Sequence, residues 1–162
     1  SWIYSIDQGA TTVWERWNSY TKENGFGDVG MNSFNHYAYG SVVEWMYRYM
    51  AGIEPGMPGF ETVILRPRID TRTAEELPDG QQRMTYVKAS YDSASGLIVS
   101  EWSNEKNLIY KCTVPVATEL RLPIMGKMLT INGVEHSFDE YECKDGCVII
   151  RLGSGEYVFE EK

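Results

Sequence analysis

The chain has 162 residues, of which 43% are hydrophobic and 23% charged, and its net charge is −8. These are ordinary globular values, which exclude a chain disordered over most of its length. The acidic balance offers no basic surface to nucleic acid or anionic lipid, and there is no run of ~20 apolar residues to cross a membrane as a helix.

The opening SWIYSIDQGATT has no Met and no basic leader followed by an apolar run. It reads as a segment from within a longer protein, so the compartment is left open. A first helix is predicted over Thr12 to Tyr20, TVWERWNSY, followed by a flexible Gly-rich loop, TKENGFGDVG. A second, longer helix is predicted from Asn32 to Ala51. Phe34, Tyr37, Ala38, Ser41, Val42, Trp45, Met46 and Tyr49 recur there at three- and four-residue steps. Asn32 or Ser33 is the candidate N-cap, and Gly52 the candidate C-terminal stop. The opposite face, with His36, Tyr39, Gly40, Val43 and Tyr47, is weakly polar, which predicts a helix buried on both sides, with Trp45 in the core.

IEPGMPGF, residues 53–60, concentrates Pro and Gly and marks a linker or domain seam. Beyond it the period becomes two. ETVILRPRI, MTYVKASYD, GLIVSEWSN, NLIYKCTVP, TELRLP, KMLTING, GCVIIRLG and GEYVFEE read as strands, separated by the turns SASG, SNEKN, INGV, KDG and GSG. Short strands at this spacing predict an antiparallel all-β sandwich over residues 61–162. Cys112, Cys143 and Cys147 are an odd set. Cys143 and Cys147 flank KDG and are the one candidate disulfide, although three cysteines more often mean three buried thiols. No metal-ligand pattern and no cofactor motif is present.

Two places suggest chemistry. Glu15 lies between Trp14 and Trp17, and a carboxyl buried against indoles has its pKa raised, which suits proton transfer. The plainer reading, which local sequence favours, is a surface Glu paired with Arg16 or Lys22. Asn35 and His36 can hydrogen-bond sugar hydroxyls; the plainer reading is a core His bonded to a carbonyl. Trp17, with Trp2, Trp14, Trp45 and Tyr4, makes a set of aromatics large enough to stack sugars, though most aromatics at helical spacing are core. Glu44 and Arg48, four apart, read as a helix ion pair.

QGATTVWERWNSY and MNSFNHYAYGSVVEWMYRYMAGIEPGMPGF resemble the end of the catalytic domain of bacterial α-L-rhamnosidases of glycoside hydrolase family 78. ASYDSASGLIVSEW and GSGEYVF resemble the β-sandwich that follows it, so the resemblance spans nearly the whole chain. It implies that residues 1–52 are closing helices of an (α/α)6 toroid and that 61–162 form a C-terminal sandwich. It implies an inverting hydrolase that releases terminal α-L-rhamnose from glycosides or polysaccharides, in a bacterial cytoplasm or periplasm. Glu15 would be the general base, and His36, with Asn35 and Trp17, would contact substrate. The general acid of that family lies in an earlier Asp-, Arg- and Trp-rich motif that is not found here. Two alternatives stand beside this reading: a non-catalytic carbohydrate-binding or structural module, and a different toroidal glycosidase. The open helix faces of a cut toroid also predict self-association.

Overall fold

The computed structural model describes residues 1–162, in two compact units, Ser1–Trp45 and Met46–Lys162.

The first unit begins with a short helix, α1, Trp2–Asp7, capped by the Ser1 hydroxyl, which accepts from the Tyr4 amide at 3.3 Å. The helix expected over 12–20 is absent. Its backbone groups are taken by a distant segment instead: the Glu15 amide donates to Ser33 O at 2.9 Å, and the His36 amide donates to Val13 O at 2.8 Å. The Thr12 hydroxyl adds a bond to Phe34 O. A residue whose amide is already paired across to another segment cannot also donate it along a helix. The loop expected after it is a small hairpin, β1 (Tyr20–Thr21) against β2 (Gly25–Phe26).

The long helix is much shorter than its periodicity predicts. A 3-10 turn covers Ala38–Ser41 and leads into α2, Val42–Trp45. Neither Asn32 nor Ser33 caps it. Residues 32–37 instead make local polar bonds that compete with helix, such as the Asn35 amide to Ser33 Oγ at 3.1 Å. Trp45, expected in the core, is 50% exposed.

The second unit opens with a π-helical turn, Met46–Ala51. Gly52 ends it at a φ of +74°, where an added Cβ would lie 2.1 Å from the Pro67 nitrogen. Residues 53–60 contain β3, Ile53–Pro55, and a 3-10 turn, Pro58–Phe60. Eight further strands carry most of the fold: β4 (Val63–Leu65), β5 (Tyr86–Ser93), β6 (Gly96–Ser103), β7 (Ile109–Val114), β8 (Thr118–Pro123), β9 (Leu129–Ile131), β12 (Cys147–Leu152) and β13 (Gly155–Glu161). Two short strands, β10 (Val134–His136) and β11 (Glu142–Lys144), lie between β9 and β12 in the chain. They form a six-stranded sheet, ordered β10-β9-β13-β7-β6-β5, and a five-stranded sheet, ordered β11-β12-β8-β4-β3. All neighbours are antiparallel except β4 and β8, which run parallel.

Alternation decides which face is buried. Ile98, Ser100 and Trp102 of β6, Tyr110, Cys112 and Val114 of β7, and Leu120 and Leu122 of β8 point inward. Full burial of each large apolar side chain contributes roughly 1.5–3 kcal/mol. The turn INGV holds Asn132 and Gly133 at φ of +50° and +81°, the left-handed pair of a two-residue hairpin joining β9 to β10. KDG does the same between β11 and β12. That hairpin also rules out the candidate disulfide. Cys143 stands opposite Val148, and Cys147 stands opposite Lys144. The two thiols therefore lie one residue out of register, and all three cysteines are free.

The end of the π-helical turn is anchored in the six-stranded sheet. Trp102 Nε1 donates to Met50 O at 2.8 Å, and Ser100 Oγ donates to Ala51 O at 2.6 Å. These side chains satisfy carbonyls that a helix terminus leaves unpaired.

Candidate active site

The ladder between residues 12–15 and 33–36 brings Glu15, Asn35 and His36 onto two adjacent stretches of backbone. Glu15 is half-buried, and its Oε2 accepts from the Ser33 amide at 2.7 Å. This bond fixes the carboxylate's direction and leaves Oε1 without a partner in the chain. The expected ion pair with Arg16 or Lys22 does not form. Arg16 instead reaches the Gly27–Met31 loop, where its Nη2 donates to Gly30 O at 3.0 Å.

His36 is half-buried, and its Nδ1 accepts from the Ala38 amide at 3.2 Å. A ring nitrogen that accepts carries no proton, so this bond assigns the neutral ring's proton to Nε2. The imidazole is therefore set to donate from its outer nitrogen. Its ring also stacks on Tyr37, with centroids 5.3 Å apart. Asn35 is exposed, and its side chain is not used within the chain.

The two indoles beside Glu15 diverge. Trp14 is 8% exposed and meets Phe34 edge-on, with centroids 5.4 Å apart. Trp17 is 40% exposed; it stacks on Tyr39 at 4.2 Å and meets Trp2 edge-on at 5.0 Å. Trp2, Trp14, Trp17, Val13 and Val43 help to line an apolar cleft of about 280 Å³. Of Glu15, Asn35, His36 and Trp17, only Trp17 lines that cleft. Sequence reading missed Ser33, whose contribution is a backbone amide, and Tyr39 as the plate beneath Trp17. No residue-type signal marks an amide donor.

Residues 1–50 match the family described as the bacterial alpha-L-rhamnosidase 6 hairpin glycosidase domain. Residues 52–138 match the bacterial alpha-L-rhamnosidase C-terminal domain. An α-L-rhamnosidase of Streptomyces avermitilis is 38% identical over 161 residues, covering 98% of this chain and 14% of that protein. One from an Alteromonas species is 42% identical over 103 residues, 64% of this chain and 10% of that protein. The chain thus spans a small fraction of the length of these relatives. Among solved structures, the Streptomyces avermitilis α-L-rhamnosidase complexed with L-rhamnose superimposes with a TM-score of 0.78 at 37% identity, covering 100% of this chain and 15% of that one. The α-L-rhamnosidase from Dictyoglumus thermophilum gives 0.76 at 31% identity, covering 98% and 17%.

Proposed function

This chain belongs to the bacterial α-L-rhamnosidase family, and from that premise we propose that it is the closing segment of an inverting glycoside hydrolase that removes terminal α-L-rhamnose. Residues 1–52 complete the toroidal catalytic domain, and residues 61–162 are the sandwich that follows it in the chain. Glu15 is the general base. The observation that carries this reading is the Ser33 amide on Glu15 Oε2, which aims the carboxylate and leaves Oε1 to receive a proton.

Inversion needs two carboxyl groups ~6.5–9.5 Å apart, with room between one of them and the sugar for a water molecule. Glu15 takes a proton from that water as its oxygen attacks the anomeric carbon. A carboxylic acid outside this chain protonates the departing oxygen. His36, with its proton on Nε2, donates to a sugar hydroxyl. Asn35 supplies a donor and an acceptor, and Trp17 supplies an apolar face for the ring.

The test is Glu15→Gln in the intact parent enzyme with an aryl α-L-rhamnoside. Loss of a general base lowers kcat by roughly 10²–10⁴-fold, while KM changes little. Undiminished turnover removes Glu15 from the mechanism. The 162-residue chain by itself hydrolyses no rhamnoside; Glu15-dependent turnover by it alone contradicts the need for a second carboxyl.

A further inference from the structure

The outward face of the five-stranded sheet is the second chemically distinctive surface of the molecule. Alternation puts Glu119 and Arg121 of β8 and Ile149 and Arg151 of β12 on that face, since Leu120, Leu122, Val148 and Ile150 are buried. The register sets Arg151 opposite Glu119, and Ile149 opposite Arg121. β4 runs parallel to β8 with Leu65 beside Leu120, which carries Arg66 one step further, alongside Arg121. On the other side, Glu142 stands opposite Ile149, and Lys144 opposite Cys147. These side chains enclose a polar groove of about 280 Å³.

We propose that this groove binds a carboxylated saccharide, a uronate unit of a glycan, with the carboxylate held by arginine. Arg121 is already engaged, its guanidinium lying 2.6 Å from Glu119 Oε1. Arg66, Lys144 and Arg151 form no ion pair within the chain. The Nε of Arg66 is shut off from solvent and has no hydrogen-bond partner. What is closed to water is closed to a ligand oxygen as well, so Arg66 acts as a fixed positive charge beside the groove, and the guanidinium free to grip a carboxylate is that of the exposed Arg151. Guanidinium is the group that takes a carboxylate through two parallel N–H···O bonds.

Charge balance narrows the ligand. The groove has four cationic side chains, those above with Arg121, against three anionic ones, Glu119, Glu142 and Asp145. A polyphosphate or nucleic-acid strand would meet those carboxylates as repulsion. A ligand with one negative charge per unit and many hydroxyls uses both sets, because the Glu142 and Asp145 carboxylates accept hydrogen bonds from hydroxyls. Ile149, on the groove's wall, offers an apolar surface to the sugar's C–H face. The volume falls just under the ~300–1,000 Å³ of drug-sized pockets, which suits one or two sugar units of an open chain. That the ligand is a sugar, and not another carboxylate, rests on the glycosidase reading above.

The experiment is affinity electrophoresis of the 162-residue chain in gels containing polygalacturonate or neutral galactan at fixed ionic strength. It reads binding without turnover, so its failure leaves the hydrolase reading standing. We expect retardation by polygalacturonate and not by galactan. Arg151→Ala should weaken it at least tenfold, and Arg66→Ala with Arg151→Ala should abolish it. Arg151 is exposed, so the single variant tests binding without endangering the fold. Arg151→Lys keeps the charge and loses the paired geometry, and should bind several-fold more weakly than the parent. Absence of retardation overturns the proposal, as does retardation unchanged in the double variant. So does equal displacement by sulfate and by chloride at one ionic strength, which would mark a nonspecific ionic surface.

Discussion

Ser100 offers a sharp test of how the sandwich holds the end of the π-helical turn. Its hydroxyl has one proton, and the 2.6 Å bond to Ala51 O takes it. The 3.0 Å contact with Tyr110 must therefore run the other way, with the phenol donating to Ser100 Oγ. The order is Tyr110 to Ser100 to Ala51. All three residues are buried, with 0%, 0% and 1% exposure. Ser100→Ala strands a carbonyl and a phenol together. At ~1–3 kcal/mol for each stranded group, less some relaxation, the expected loss is about 2–4 kcal/mol, a large part of the ~5–15 kcal/mol that holds a domain folded. Tyr110→Phe removes only the outer donor; Ser100 still serves Ala51, so the loss should stay below about 1 kcal/mol. In the Ser100→Ala background, Tyr110→Phe should cost nothing or restore stability, because it removes one of the stranded groups. Urea unfolding followed by tryptophan fluorescence gives each value, with an unchanged slope. Equal losses in the two single variants, or simple additivity in the double variant, would refute the directional chain.

Other outcomes follow from single residues. Burial pushes the Cys112 thiol up to about 12, so an aromatic disulfide reagent should titrate Cys143 and Cys147 in the native chain and Cys112 only after unfolding. Because the folded value lies above the unfolded one, stability from Cys112 is complete below pH ~8.5 and is lost as pH rises towards 12. Alkaline unfolding of Cys112→Ala should begin at higher pH than that of the parent. Arg72 grips Asp70 through Nε and Nη2, each at 2.8 Å, and holds its carboxyl well below the usual carboxylate range. That stability is present above pH ~4 and lost as pH falls, so Asp70→Asn should flatten the acid limb of a stability profile. Gly52→Ala places a methyl 2.1 Å from the Pro67 nitrogen at a left-handed φ. It should cost more than ~3 kcal/mol, seen as a chain that is insoluble or lacks a cooperative thermal transition.

The sandwich was largely legible because its signals are local. The alternation in TELRLP and CVIIRL matches β8 and β12 residue for residue, and the Asn-Gly and Asp-Gly pairs sit at left-handed turns. β10 and β11 escaped notice because three exposed or half-exposed residues carry no alternation. The first unit misled for the opposite reason. Aromatics at three- and four-residue steps mimic a helix through residues 32–37, but the period cannot show that Ser33 and His36 give their backbone groups to residues 13–15. Glu15 and His36 were found by residue type and resemblance. The amide that aims Glu15 carries no letter of its own. The register offset that keeps Cys143 from Cys147 became readable only once the hairpin's turn length was known.

β13 lies in the middle of its sheet, bonded to β7 on one side and to β9 on the other. The β5-β6-β7 meander and the β9-β10 hairpin have no edge in common until residues 155–161 arrive. A ribosome delivers those residues after every other strand of that sheet, so the nascent six-stranded sheet waits as two pieces, with the edges of β7 and β9 unpaired. Its closure is a late, long-range step rather than a growth from one end. A premature stop ahead of Gly155 would therefore leave two open seams, each a template for pairing with another chain.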